Sequence, residues 1–417
     1  MKKIFSIICI LALVIFLGAC GNKYAIKETK TFRYLNKVDY PSEEKASPYE
    51  LGLYLSKENK QLFNEFSYNT FKEIHESGKN CVYSPASLYI AMAMLAEGAS
   101  GNSLDQINSL IGDEASRRKI SKALYELNYY KNKEGEALLA NSYWVKLGLD
   151  VKEEYINNLN DNYYATGFAS NFDDETKSNM AKWINDNTRG LLDVKKDEFD
   201  DIDDMVLCLI NTIYFDNKWN TEFKTSDTYK GTFYTDSEVS VDFMKHKVSS
   251  SYYKDEYVTM GLDSFKNGNG IRYIMPNDNY TIEDAFKALK KYIDGDIQMR
   301  GADITYSVPK FKYLTKMNLI EPLQKLGVTD IFNSSKANFS NISDTPLYVS
   351  KSIQNAGIEF SESGVKAAAF TFHGMTKESA VEPLDKVEFV LDHPFIYQIF
   401  DINGCVLFMG VVNNPNK

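Results

Sequence analysis

Residues 364–386 read GVKAAAFTFHGMTKESAVEPLDK, a run that starts like the interior of a packed protein and ends like a surface loop. Taking alternate residues, Val365, Ala367, Ala369 and Thr371 form one face and Lys366, Ala368, Phe370 and Phe372 the other, the period of a β-strand. The first face is small and uncharged, so it can enter a sheet between two neighbours without overpacking. A charge there would be buried unpaired at a cost of several kcal/mol. The remainder, HGMTKESAVEPLDK, is polar and built for exposure, which makes it good bait for a protease. Two readings fit these residues: a short edge strand followed by a surface loop, or a segment exposed in one state and buried in another.

The chain around it is that of a globular protein. Its 417 residues are 44% hydrophobic and 25% charged, with a net charge of -10. The negative balance is spread along the chain, which argues for solubility and against a nucleic-acid surface. ENKQLFNEFSYNTFKEIHES puts Leu62, Phe63, Phe66, Thr70 and Ile74 on one helical face, and SPASLYIAMAMLAEG starts a second helix with Ser84 as N-cap and Pro85 at its first position. Gly98 suits the end of that helix. ALLANSYWV and MVLCLINTIYF read as strands, the second so continuously apolar over 205–215 that burial on both faces is expected. Asn211 interrupts it and must find hydrogen bonds there, either as a satisfied structural amide or as a member of a polar network. GIRYIMP, ADITYSVPKF and VEFVLDHPFIYQIF add strands, and SNMAKWINDNTRG and NLIEPLQKLG add helices. With no βαβα rhythm, repeat or phosphate loop, the pattern predicts one α+β domain around a large sheet, over residues 58–417.

Ahead of it, MKK, the apolar run IFSIICILALVIF and Leu17-Gly18-Ala19-Cys20 resemble the signal and lipobox of a bacterial lipoprotein. On that reading residues 1–19 are removed, Cys20 carries the lipid, and residues 20–57 form a polar tether to the membrane. The protein is then exported and anchored to the cell envelope, on an outward-facing or periplasmic side. The remaining cysteines, Cys81, Cys208 and Cys405, sit in apolar company and read as buried free thiols. His75, His246, His373 and His393 form no metal-like cluster, and no GxSxG elbow occurs, so neither a metal, a cofactor nor an enzyme is expected.

Four stretches carry a resemblance that covers about 350 residues. NCVYSPASLYIAMAMLAEGASGNSLDQI, INTIYFDNKWNTEF, LYVSKSIQNAGIEFSESGVKAAAFT and FVLDHPFIYQIFDINGCVLFMGVVNNP stand in that order and are similar to motifs of the serpins, inhibitors of serine and sometimes cysteine proteases. The resemblance implies three β-sheets, about eight or nine helices, an exposed reactive-centre loop, a monomer and a metastable native state. It also implies an irreversible mechanism, in which a protease cleaves the loop and forms an acyl-enzyme while the loop enters the main sheet. About 14 inserted residues at about 3.3 Å each would carry the protease about 45 Å, and distortion of its oxyanion hole would trap the ester.

Residue by residue, the resemblance places Glu362, Gly364, Val365, Ala367, Ala368, Ala369 and Thr371 on the hinge, with Gly364 relieving the bend. Val365 stands where Thr or Ser is usual and Phe370 where Ala is usual. Ser84, Ser87, Asn211 and Gln354 match the region where the sheet opens, and Gln354 replaces a common His, keeping hydrogen bonds but not titration. The scissile bond falls at Lys377, Glu378 and Ser379. Cleavage after Lys377 would suit trypsin-like proteases and after Glu378 glutamate-specific ones, with subtilisin-like enzymes drawn to Met375 or Phe372. A non-inhibitory binding or chaperone-like serpin is the alternative, against which the alanine run argues.

Overall fold

Helices begin where a side chain can satisfy the first free N–H groups. Ser56 caps α1 (Lys57–Ile74) by accepting from Asn59 N at 3.2 Å, and Ser84 caps α2 (Pro85–Gly98) by accepting from Ser87 N at 3.2 Å, with Pro85 at the first position. After α3 (Gly101–Ile111), Asp113 caps α4 (Glu114–Leu127) and accepts from Ser116 N at 2.9 Å. Then come α5 (Glu153–Tyr163), α6 (Asp174–Asn187), entered through an Asp173–Thr176 capping box, α7 (Ile282–Asp294) and α8 (Ile320–Lys325). These eight α-helices are those among the described residues of this computed structural model, which are 26–39, 52–199, 202, 205–366 and 385–417. Gly98 ends α2 for a reason other than a left-handed cap. A Cβ there would lie 2.2 Å from Ile342 Cγ1, so the glycine admits a neighbour.

The first strands are β1 (Phe32–Asn36), β2 (Cys81–Tyr83), β3 (Tyr129–Asn132), β4 (Gly135–Lys146), β5 (Ala165–Ser170) and β6 (Leu207–Lys218). They are followed by β7 (Tyr229–Tyr234), β8 (Glu238–Lys254), β9 (Val258–Ser264), β10 (Gly270–Pro276), β11 (Arg300–Pro309) and β12 (Phe311–Asn318). The last are β13 (Ile353–Ser361), β14 (Gly364–Lys366), β15 (Asp385–Val390), β16 (Phe395–Phe400) and β17 (Val406–Val412). An 8-stranded sheet runs β1-β5-β4-β6-β14-β13-β12 with β3 beside β4, and a 9-stranded sheet runs β15-β11-β8-β9-β10-β16-β17-β2 with β7 beside β8. Three sheets become two because the 17-residue β8 passes through both halves of the second, pairing with β7 and β11 along its length and with β9 at Tyr252–Lys254.

Two local expectations change. Within the stretch read as a tether, β1 pairs antiparallel with β5 and buries Phe32 against Trp144 and Phe168, at ring distances of 5.9 and 5.4 Å. Its alternation spans only five residues between charged flanks, too short to stand out as a strand. In β6, residues 207–211 are half-buried rather than buried on both faces, since β14 pairs only with Asn217 and Lys218 at its other end. One core spans the whole, from Phe63 and Tyr89 under the helices to Trp219, Tyr306 and Tyr397 between the sheets.

Candidate functional site

The hinge begins at the top of the large sheet, where β13 turns into β14. Glu362, in that turn, meets Lys310 Nζ at 2.9 Å through Oε2 and accepts from Thr228 Oγ1 at 3.0 Å. Partial burial pushes its carboxyl up, but Lys310, a backbone N–H and Thr228 outweigh that and hold it below the usual range. One residue earlier, Ser361 offers its carbonyl to the indole N–H of Trp219 at 2.9 Å. Trp219 is fully buried and stacks on Phe265 at 4.7 Å. It follows directly on β6, so this hydrogen bond ties the end of β6 to the end of β13.

Between those two ends lies β14, antiparallel to both. Gly364 is opposite Ser361 on one side and Lys218 on the other, and Val365 is opposite Phe360 and Asn217. A Cβ on Gly364 would stand 2.0 Å from Asn217 O, so glycine is needed here for close backbone approach, and its φ is not positive. The bend relief expected from the sequence is thus replaced by a contact. Val365 is completely buried, which a branched apolar side chain tolerates without a partner. Among the described residues β14 is the hydrogen-bonded link between β6 and β13. Ala367, Ala368, Ala369, Thr371, Lys377, Glu378, Ser379 and Cys20 lie outside the described residues.

Further down the same strands, all four residues assigned to sheet opening come together. The Gln354 amide, on β13, clasps the backbone of Ser84 twice, accepting from its N–H at 2.8 Å and donating to its carbonyl at 3.0 Å. Ser84 Oγ donates to Leu407 O at 2.7 Å while capping α2. Ser87 Oγ donates to Asn211 Oδ1, and Asn211 Nδ2 donates to Asn141 Oδ1 on the facing strand β4. Asn141 passes the chain on to Tyr163 O at 2.6 Å. Asn211 is therefore part of a network and not an isolated amide, and the Gln354 bonds need no titrating group.

Sequence reasoning missed Asn141, Trp219, Lys310 and the pair His246–Asp263. Asn141 interrupts the apolar run of β4 as Asn211 does that of β6, so the same reasoning could have found it. The partners Lys310 and Thr228 carry no local signal, since they meet Glu362 only through the fold. Cys81 and Cys405 are buried free thiols, while Cys208 is free but half-buried, and burial pushes the Cys81 thiol up to about 12.

The described residues thus form a two-sheet α+β body in which a short strand, β14, lies between β6 and β13 of the large sheet. The family model described as Serpin (serine protease inhibitor) matches residues 61–415, and the chain belongs to that family. An uncharacterized serpin-like protein of Methanosarcina mazei is 30% identical over 99% of this chain and 98% of its own length. One from Methanosarcina acetivorans is 33% identical over 84% of this chain and 87% of its own, and the Neuroserpin of Mus musculus is 28% identical over 85% and 91%. Among solved structures, the thermophilic serpin Tengpin in its native state superposes with a TM-score of 0.74 at 27% identity, covering 92% of this chain and 100% of that one. Its latent state gives 0.73 at 25% identity, with 86% and 98% covered. Serpins are in general protease inhibitors and not enzymes.

Proposed function

We propose that this chain is an irreversible suicide inhibitor of serine proteases, with cysteine proteases as further targets. The observation that carries the reading is the seating of Gly364 and Val365 between β6 and β13, which starts a strand on the line the rest of the hinge would follow. The protease nucleophile attacks the carbonyl of Lys377 or Glu378, the amine of the following residue leaves, and an acyl-enzyme remains. Insertion of Ala367, Ala368, Ala369 and Thr371 behind Val365 then carries the protease away and distorts its oxyanion hole, so that water no longer cleaves the ester. Lys377 favours trypsin-like targets, Glu378 glutamate-specific ones, and Met375 or Phe372 subtilisin-like ones. The protein acts as a monomer without a cofactor, and its location is the cell envelope through a lipid on Cys20.

The test is to mix the chain lacking residues 1–20 with trypsin, a glutamate-specific protease, subtilisin and elastase, followed by denaturing gels and mass spectrometry. A detergent-stable band near the summed masses, with a released peptide starting at Glu378 or Ser379, is the expected result. If every protease cuts the loop and stays active, a non-inhibitory binding role replaces this reading. For the anchor, fatty-acid labelling in cells should be lost in Cys20→Ser; labelling that persists removes Cys20 as the lipid site.

A further inference from the structure

Behind the mouth of the large sheet lies a buried histidine–aspartate contact that none of the preceding steps uses. His246 on β8 faces Asp263 on β9, with Nε2 2.9 Å from Asp263 Oδ2 and side chains 4% and 2% exposed. The approach is a close contact and not an aligned hydrogen bond. The other ring nitrogen, Nδ1, lies 2.9 Å from the carbonyl of Thr221, which can only accept, so Nδ1 carries a proton. Phe223 covers the ring at 3.6 Å.

Thr221 and Phe223 belong to the connection that begins with Trp219. That connection is fastened at three further points: Asn220 N donates to Ser264 O at 2.9 Å, Trp219 contacts Phe223 at 5.2 Å, and the indole of Trp219 holds Ser361 O. Ser264 is the residue after Asp263, so one short piece of β9 grips the connection through its backbone and, by way of His246, through a side chain. Burying a polar pair is a poor device for stability alone, because desolvation offsets most of its attraction. It is a good device for fixing one geometry, and here the geometry is the spacing between the ends of β6 and β13 where Gly364 is seated.

We propose that His246, oriented by Asp263, is a positioning residue for loop insertion: it holds the Trp219–Phe223 connection so that β6 and β13 present the seat for Gly364 and Val365. This rests on the inhibitory reading above. Without the hold, the first pairings of β14 are lost, insertion starts late, and more acyl-enzyme hydrolyses before it is trapped. The protein then behaves more as a substrate.

The experiment uses the full chain as the double variant His246→Phe/Asp263→Asn, which keeps the stack on Phe223 and leaves no unpaired buried charge. A second variant, Trp219→Phe, keeps the packing but removes the donor to Ser361. For each, the moles of protein consumed per mole of protease trapped are measured, with melting temperatures of the uncut and nicked forms. A core control, Arg272→Met, removes a buried cation that contacts Gln398 far from the hinge in sequence. The expected result is that consumption rises at least fivefold in both hinge-side variants and stays at the wild-type value in the control, with matched melting temperatures. Unchanged consumption in the double variant overturns the inference, as does an equal rise in the control, which would mark a general loss of stability. If the wild type traps no protease and its nicked form melts no higher than the uncut one, the inhibitory reading itself fails and the inference falls with it.

Discussion

Asp401 offers a test of the fold in which the sign and size both follow from the structure. It sits in the turn between β16 and β17, 1% exposed, where Oδ1 accepts from Asn403 N at 2.8 Å and Cys405 N at 3.0 Å. Oδ2 is buried without a partner, and so is Oδ1 of the neighbouring Asn128, whose amide nitrogen is committed to Leu124 O. Burial is the main influence on the carboxyl and outweighs the two N–H groups, Lys60 and the Asn128 side chain, pushing it up to about 7 from an ordinary 3.8. Between about pH 4 and pH 7 the folded chain holds the carboxyl proton and the unfolded chain does not, so the contribution to stability is full below about pH 4 and declines as pH rises to about 7. At about 1.4 kcal/mol per pKa unit, the decline amounts to about 4 kcal/mol. Asp401→Asn keeps the shape and accepts from the same two N–H groups. Thermal melts of both proteins from pH 4.5 to pH 8.5 should start close together, separate as pH rises towards 7, and run parallel above it, with the variant several degrees higher. Because all other titrating groups cancel in the comparison, a difference that does not change with pH would refute the assignment.

Two further substitutions separate the hinge from the body. Gly364→Ala puts a Cβ 2.0 Å from Asn217 O, so β14 must leave its seat; the nicked form should then gain heat stability more slowly than wild type, which calorimetry of timed samples would show, and an unchanged time course would contradict the close contact. Glu97→Gln removes the charge facing Arg117 (3% exposed) and Arg118; its one remaining oxygen can still accept from Tyr163 Oη, but an NH2 then faces Arg118 in place of Oε2. An uncompensated buried guanidinium costs about 3–5 kcal/mol, so a large drop in the urea midpoint is expected, and a drop of under about 1 kcal/mol would mean that water reaches the site.

Much of this fold was legible because its signals are local. Ser84 followed by Pro85 marks the start of α2, and the seven residues GIRYIMP are β10 in full. The single run VEFVLDHPFIYQIF proved to be two strands, β15 and β16, because the intervening residues break the ladder ahead of Pro394. What was not legible is what only the fold assembles. The number of sheets depends on how far β8 runs, and that is decided by its partners β7, β9 and β11. His246, which stands between Lys245 and Lys247, is buried because strand alternation turns the lysines outward and the ring inward. Glu362 was recognised by motif, yet its partners Lys310 and Thr228 come from distant segments and have no mark of their own.

Side chains tie the two strands that flank β14 to α2, to β4 and to each other, to a degree that a continuous ladder would not require. Asn211 to Ser87 and Asn141, Gln354 to Ser84, and Trp219 to Ser361 all act on β6 or β13, the two strands that flank β14. Each such bond is worth about 1 kcal/mol net, and each joins polar groups that an incoming backbone or water could satisfy in turn. An apolar seam of the same length would lose its packing on opening and recover nothing until fully closed. A polar seam lets strands part in small steps, and Asn211, which interrupts the apolar run of β6, lies in it. Under the proposed function, this is what allows insertion to compete with hydrolysis of an acyl-enzyme: the sheet is held in register by bonds that can be exchanged one at a time. The ion pair of Glu362 with Lys310 and the seat of Val365 fix where that exchange begins.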